Sequence, residues 1–117
     1  MEFTLYHNPR CKKSREALQF LEEKGIRFKT VKYLDQKLDP KALAAILSKI
    51  NLKPSEILRK NELLWKKDFS SKNLNEDQIL QLLVENPKLI ERPIVTGPES
   101  GVLARPLENL VDFLKGN

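Results

Sequence analysis

The chain has 117 residues, 40% hydrophobic and 32% charged, a composition that suits one globular domain over residues 1–117 with a single core. Its 21 Lys and Arg outnumber 16 Asp and Glu for a net charge of +5, but no polybasic tail forms, so no nucleic-acid partner is expected. No apolar run approaches the ~20 residues of a membrane span, the opening Met-Glu-Phe-Thr-Leu-Tyr is not a secretory signal, and the lone cysteine, Cys11, cannot close an internal disulfide, so a cytoplasmic location away from membranes is expected.

Phe3, Leu5 and Tyr6 predict a first strand that ends at the turn cluster His7-Asn8-Pro9. From Cys11 to Lys24 the spacing is helical: Ala17, Leu18 and Leu21 share a face, Phe20 borders it, and Gly25 supplies the stop. Ile26, Phe28 and Val31 alternate with polar residues and predict a second strand, parallel to the first because a helix connects them. Asp39 is a good N-cap with Pro40 at the first helical position, and Leu43, Ile46, Leu47 and Ile50 follow at helical spacing. Pro54 starts a short helix through Ile57 and Leu58. Asn75 caps another, with Glu76 and Asp77 in its first turn, Ile79, Leu82 and Leu83 inward, and Asn86-Pro87 as its end. Pro93 to Thr96 predicts a strand, Gly97 to Gly101 a turn, and Val102 to Ala104 a returning antiparallel strand. Pro106 opens a last helix that turns Leu107, Leu110, Val111 and Leu114 inward. The order is that of an α/β domain with a helical insertion at about residues 38–90.

A free cysteine is most often a small core filler. Cys11 has a different address: it stands where a loop turns into a helix, and the unpaired N–H groups and dipole of a helix start favour a thiolate. Lys12, Lys13 and Arg15 put cations in the first turn, where stability alone would prefer acids, and this suits an anion docking there. Ser14, one turn on, brings a hydroxyl within reach of the sulfur or of that anion. It stands where a redox dithiol would hold its second cysteine, so any redox cycle must take a thiol from outside. His7, the only histidine, either tunes the thiol or merely orients the loop. One cysteine and one histidine do not make a zinc site, and no metal or bound cofactor is expected.

Four ordered segments carry a resemblance over nearly the whole chain: Tyr6-His7-Asn8-Pro9-Arg10-Cys11 with Ser14-Arg15, Leu58-Arg59-Lys60-Asn61, Glu91-Arg92-Pro93-Ile94-Val95, and Ala104-Arg105-Pro106. They resemble the glutaredoxin-coupled arsenate reductase family. The resemblance implies a thioredoxin-like (glutaredoxin-like) fold, a four-stranded mixed sheet with flanking helices. It implies Cys11 as the nucleophile toward arsenate, His7 as the loop histidine, and Arg59, Arg92 and Arg105 as oxyanion-binding residues with Ser14 nearby. Asn8, Arg15 and Pro93 support the site, Pro93 as the cis-proline that faces the cysteine. Glutathione is implied as co-substrate and glutaredoxin as the partner that resets the thiol. The sequence departs from the family at Lys12-Lys13, where Gly-Thr is expected. Two other functions are open on this fold: a glutathione-dependent thiol reductase of unknown substrate, and an Spx-like regulator that binds RNA polymerase without catalysis.

Overall fold

The computed structural model describes residues 2–116; Met1 and Asn117, the ends of the expected domain, lie outside the described residues. Four strands, β1 (Phe3–Tyr6), β2 (Phe28–Val31), β3 (Ile94–Thr96) and β4 (Gly101–Leu103), form one sheet in the order β2-β1-β3-β4. β1 pairs parallel with β2, while β1–β3 and β3–β4 pair antiparallel. This is the mixed sheet of the thioredoxin-like fold.

Helix α1 (Lys12–Glu23) joins β1 to β2. It starts one residue later than its spacing predicts, because Cys11 takes the N-cap position in extended backbone. It ends at Gly25, whose φ of 67° needs the left-handed region that glycine enters freely; the Ile26 N–H then reaches back to the Leu21 carbonyl at 3.2 Å. Between β2 and β3 the chain is helical: α2 (Pro40–Ile50), a 3₁₀ turn at Pro54–Ile57, α3 (Leu63–Asp68), α4 (Glu76–Glu85) and a second 3₁₀ turn at Pro87–Leu89. Asp39 caps α2 by accepting the Ala42 N–H at 2.7 Å, and Asn75 forms a capping box with Gln78 on α4. Helix α3 escapes sequence reading because none of its residues is buried; Leu63 is 69% exposed. The last helix, α5 (Leu107–Lys115), follows β4 directly.

The sheet's pleat divides the core in two. Phe3, Leu5 and Val95 face α1 and α5, where Ala17, Leu21 and Leu110 are fully buried, with Leu107, Phe113 and Leu114 packed around them. Ile94 faces the other way, into Leu43, Ile46, Ile57, Leu83 and Leu89 of the helical segment. The residue-by-residue alternation of β3 therefore sews the two cores together, and the same strand carries the head of the site described below. No helix among the described residues is long and apolar enough to cross a membrane.

The β3–β4 turn closes tightly against α2. A Cβ on Gly101 would lie 2.8 Å from the Val95 carbonyl oxygen and 3.1 Å from Ile50 Cγ2. We therefore expect Gly101→Ala to cost about 1–3 kcal/mol in urea unfolding, as overpacking at a rigid contact does. An unchanged midpoint would mean that this contact relaxes freely.

Candidate active site

The site begins with a turn that holds Cys11 in place. The Cys11 N–H donates to the Asn8 carbonyl at 3.0 Å, and Asn8 Oδ1 accepts the Arg10 N–H at 3.0 Å. Arg15 reaches back from α1 to the Pro9 carbonyl at 2.9 Å. Below the turn Ser14 is fully buried; its Oγ accepts the Asn8 N–H at 3.0 Å and lies 2.6 Å from His7 Nδ1. Burial, then the nearby Lys32 and Arg15 charges, hold the His7 pKa below its usual value, so the ring is neutral near pH 7. A neutral ring carries one donor and one acceptor nitrogen, so the tautomer decides whether Ser14 O–H or Nδ1–H donates in this bond.

This arrangement bears on two expectations. The Ser14 hydroxyl is fully buried between His7 Nδ1 and the Asn8 N–H. Of the two roles expected of His7, orienting the loop is the one its surroundings fit: it is 4% exposed and bonded to Ser14 beneath the turn.

The half-buried sulfur is held by other groups. Burial alone pushes the thiol pKa up. The Arg92 guanidinium within hydrogen-bonding reach, the Ser14 backbone N–H, the Arg92 charge and the Lys13 N–H outweigh it, and the Cys11 pKa lies below the ordinary thiol value. The sulfur closes no cap hydrogen bond of its own, but it looks onto the open end of α1. The side chains of Lys12 and Lys13 are exposed, and Lys13 Nζ lies 4.0 Å from Glu16.

Three long-range pairings deliver the arginines. Leu58 bridges Ile90, with the Arg59 N–H on the Leu89 carbonyl at 2.8 Å and the Glu91 N–H on the Ile57 carbonyl at 2.7 Å, which sets Arg59 beside Glu91. Arg92 heads β3 ahead of a cis bond to Pro93. The Ala104 N–H donates to the Pro93 carbonyl at 2.9 Å, and Arg105 then reaches the Arg92 carbonyl at 3.4 Å. Glu91 Oε1 lies between two guanidiniums, 3.6 Å from Arg59 Nε and 3.5 Å from Arg105 Nη1. These distances exceed those of a charge-assisted hydrogen bond, so the carboxylate balances charge without saturating the donors. Arg59, Lys60, Asn61, Glu91 and Arg105 line an open pocket of about 270 Å³. A larger groove of about 440 Å³ along α2 and the Pro54 turn is lined by neither cysteine nor arginine.

The model of the ArsC family matches residues 6–113. The chain belongs to the ArsC family. It is 40% identical to the arsenate reductase of Neisseria meningitidis over 93% of this chain and 95% of that one. It is 32% identical to the arsenate reductase of Haemophilus influenzae over 97% of this chain and all of that one. Among solved structures, the arsenate reductase from Vibrio cholerae superposes with a TM-score of 0.89 at 34% identity, over 96% of this chain and 97% of that one. In this ArsC-family chain, Glu91 and Tyr33 complete the set of groups around the thiol and the arginines, and neither is singled out by sequence reasoning. Glu91 lies inside a recognised segment without a role of its own, whereas Tyr33 has the look of a core residue after a strand.

Because His7 is the only histidine, its charging is visible in stability. Its folded pKa is below the unfolded value of about 6.5, so the unfolded chain takes up the proton first. His7 thus contributes stability that is present above that unfolded pKa and lost as pH falls below it. We expect the thermal midpoint to drop between pH 7.5 and 5.5, and His7→Gln to remove most of that drop. Equal slopes for the two proteins would contradict the buried neutral imidazole.

Proposed function

We propose that the chain is a thiol-dependent arsenate reductase in which Cys11 is the nucleophile. The observation that carries this reading is Arg92 lowering the Cys11 pKa, with Arg59 and Arg105 held against Glu91, the residue before Arg92. Arginine suits a tetrahedral oxyanion because its planar fork donates two charge-assisted hydrogen bonds to two oxygens. The thiolate attacks arsenic, and one arsenate oxygen leaves as water once protonated. Glutathione thiolate then attacks Cys11 Sγ; the sulfur–arsenic bond breaks and its electron pair stays on arsenic. Pentavalent arsenic becomes trivalent, and Cys11 is left in a mixed disulfide with glutathione. Glutaredoxin attacks the glutathione sulfur of that disulfide and frees the Cys11 thiolate.

An external thiol is required in this scheme because Cys11 is the chain's only cysteine. Glutathione is therefore a co-substrate, no bound cofactor is called for, and the cytoplasm, where glutathione is kept reduced, is the setting that fits. We take residues 1–117 as one functional domain with the helical segment at about 38–90 as an insertion, since that segment carries Arg59 to Glu91. Glu91 favours a second reading. Arg59 and Arg105 already hold a carboxylate, so the same pair suits a carboxylate of glutathione in a thiol reductase acting on glutathionylated substrates.

Coupled NADPH consumption with glutathione, glutaredoxin and glutathione reductase is the test. We expect arsenate-dependent turnover in the wild type, none with Cys11→Ser, and a loss of about 10²–10³ in kcat with Arg92→Ala, the size of a lost oxyanion donor. An arsenate rate no higher than blank, together with turnover of a glutathionylated disulfide, would replace arsenate reduction with the thiol reductase.

A further inference from the structure

Tyr33 lies two residues beyond β2 and is 2% exposed. Its ring packs into the core on the helical side of the sheet with Ile57, Leu58, Ile90 and Ile94. Because β2 runs parallel to β1, with Val31 opposite Tyr6 and the His7 N–H on the Val31 carbonyl at 2.8 Å, the end of β2 opens onto the same edge as the Cys11 loop. The phenol accordingly meets the charges of Arg92, Cys11 and Arg59.

A buried tyrosine hydroxyl normally has a hydrogen-bond partner, because leaving it unpaired costs the desolvation of a polar group. Neither the Tyr33 hydroxyl nor Nε of Arg92 closes a hydrogen bond of full geometry among the described residues, although the Arg92 guanidinium stands close enough to the phenol oxygen to stabilise its charged form. Arg92 Nε is a donor that can never accept, and a phenol beside a guanidinium turns its own proton outward. Two neighbouring buried donors without an acceptor are complementary to an oxygen that arrives from outside. Glu91 Oε1 is likewise buried without a hydrogen bond among the described residues; it lies 3.6 Å from Arg59 and 3.5 Å from Arg105, whose charges it balances.

We propose that Tyr33 is a further oxyanion-binding residue, donating with Arg92 Nε to one oxygen of the tetrahedral anion that Cys11 attacks. Burial, working against the Arg92 charge, pushes the phenol pKa up to about 12, so at neutral pH the group remains a neutral donor. It adds direction to a site whose other donors are cationic. A hydroxyl in fixed orientation favours a compact tetrahedral oxyanion, whereas the carboxylate of a thiol substrate is already served by Arg59 and Arg105. The inference rests on the reading of Cys11 as a nucleophile toward an oxyanion.

The variant is Tyr33→Phe, which keeps the ring and removes only that hydroxyl, so its thermal midpoint should not fall. Arsenate and inorganic phosphate are titrated as protectants of Cys11 against alkylation. We expect protection to need about ten- to a hundredfold more anion in the variant, the range for a lost hydrogen bond to a charged group. The pH profile of alkylation without anion should stay that of the wild type. Equal protection in the two proteins, or no protection in either, overturns the assignment, as does a midpoint that falls with protection unchanged, which marks a structural role such as a water bridge to Glu91. A wild type that is protected better than Tyr33→Phe but turns over no arsenate retains the Tyr33 assignment and removes arsenate as substrate.

Discussion

A thiolate half-buried at the start of a helix needs a cation at close range, and in this chain Arg92 supplies it. Removing the sulfur from water disfavours its charged form. The free N–H groups of α1 offset part of that cost, and the Arg92 guanidinium reverses the balance. Arg92 is 81 residues away in sequence, a separation that follows from numbering alone. The contact therefore depends on β3 pairing antiparallel to β1, which sets the head of one strand against the end of the other. The two cores on either side of the sheet hold that register, because a slip of one residue would exchange Ile94 and Val95 between them.

Gathering three guanidiniums has an electrostatic cost of its own, and Glu91 moderates it. Its carboxylate is near enough to Arg59 and Arg105 to lower their mutual repulsion but too far to occupy their donors fully. In the proposed function, an oxyanion entering this set would replace a loose pairing with closer ones. The arginines also reach the site by different routes, through the Leu58–Ile90 bridge, the head of β3 and the end of β4. The helical segment between β2 and β3 is thus part of the site's construction, since without it Arg59 has no path to the sheet edge.

Local chemistry made much of the fold legible. Asp39-Pro40, Asn75 and Gly25 mark helix ends through hydrogen bonds or dihedral preferences that act within a few residues, and the structure places the caps and the stop there. The address of Cys11 was readable for the same reason, since Asn8-Pro9 before a helical pattern fixes a loop at a helix start. The arginines were different. One guanidinium among 21 basic residues has no local signature, so Arg59, Arg92 and Arg105 were picked out by family resemblance. The contacts of Ser14 and His7 stay open in the sequence, because spacing along a chain does not say which neighbours burial supplies; in the structure the two residues meet each other beneath the loop. Tyr33 has no local signature either: its hydroxyl is notable only because it is buried beside Arg92 without a hydrogen bond of full geometry among the described residues.

The central claim is that Arg92 lowers the Cys11 pKa, and the chain's single cysteine makes it directly measurable. The rate of Cys11 alkylation by iodoacetamide is followed against pH in the wild type and in Arg92→Leu, without substrate. The account predicts a wild-type midpoint below the ~8.5 of a free cysteine and a clear upward shift in the variant. Coincident curves, both centred near the free-cysteine value, would contradict it.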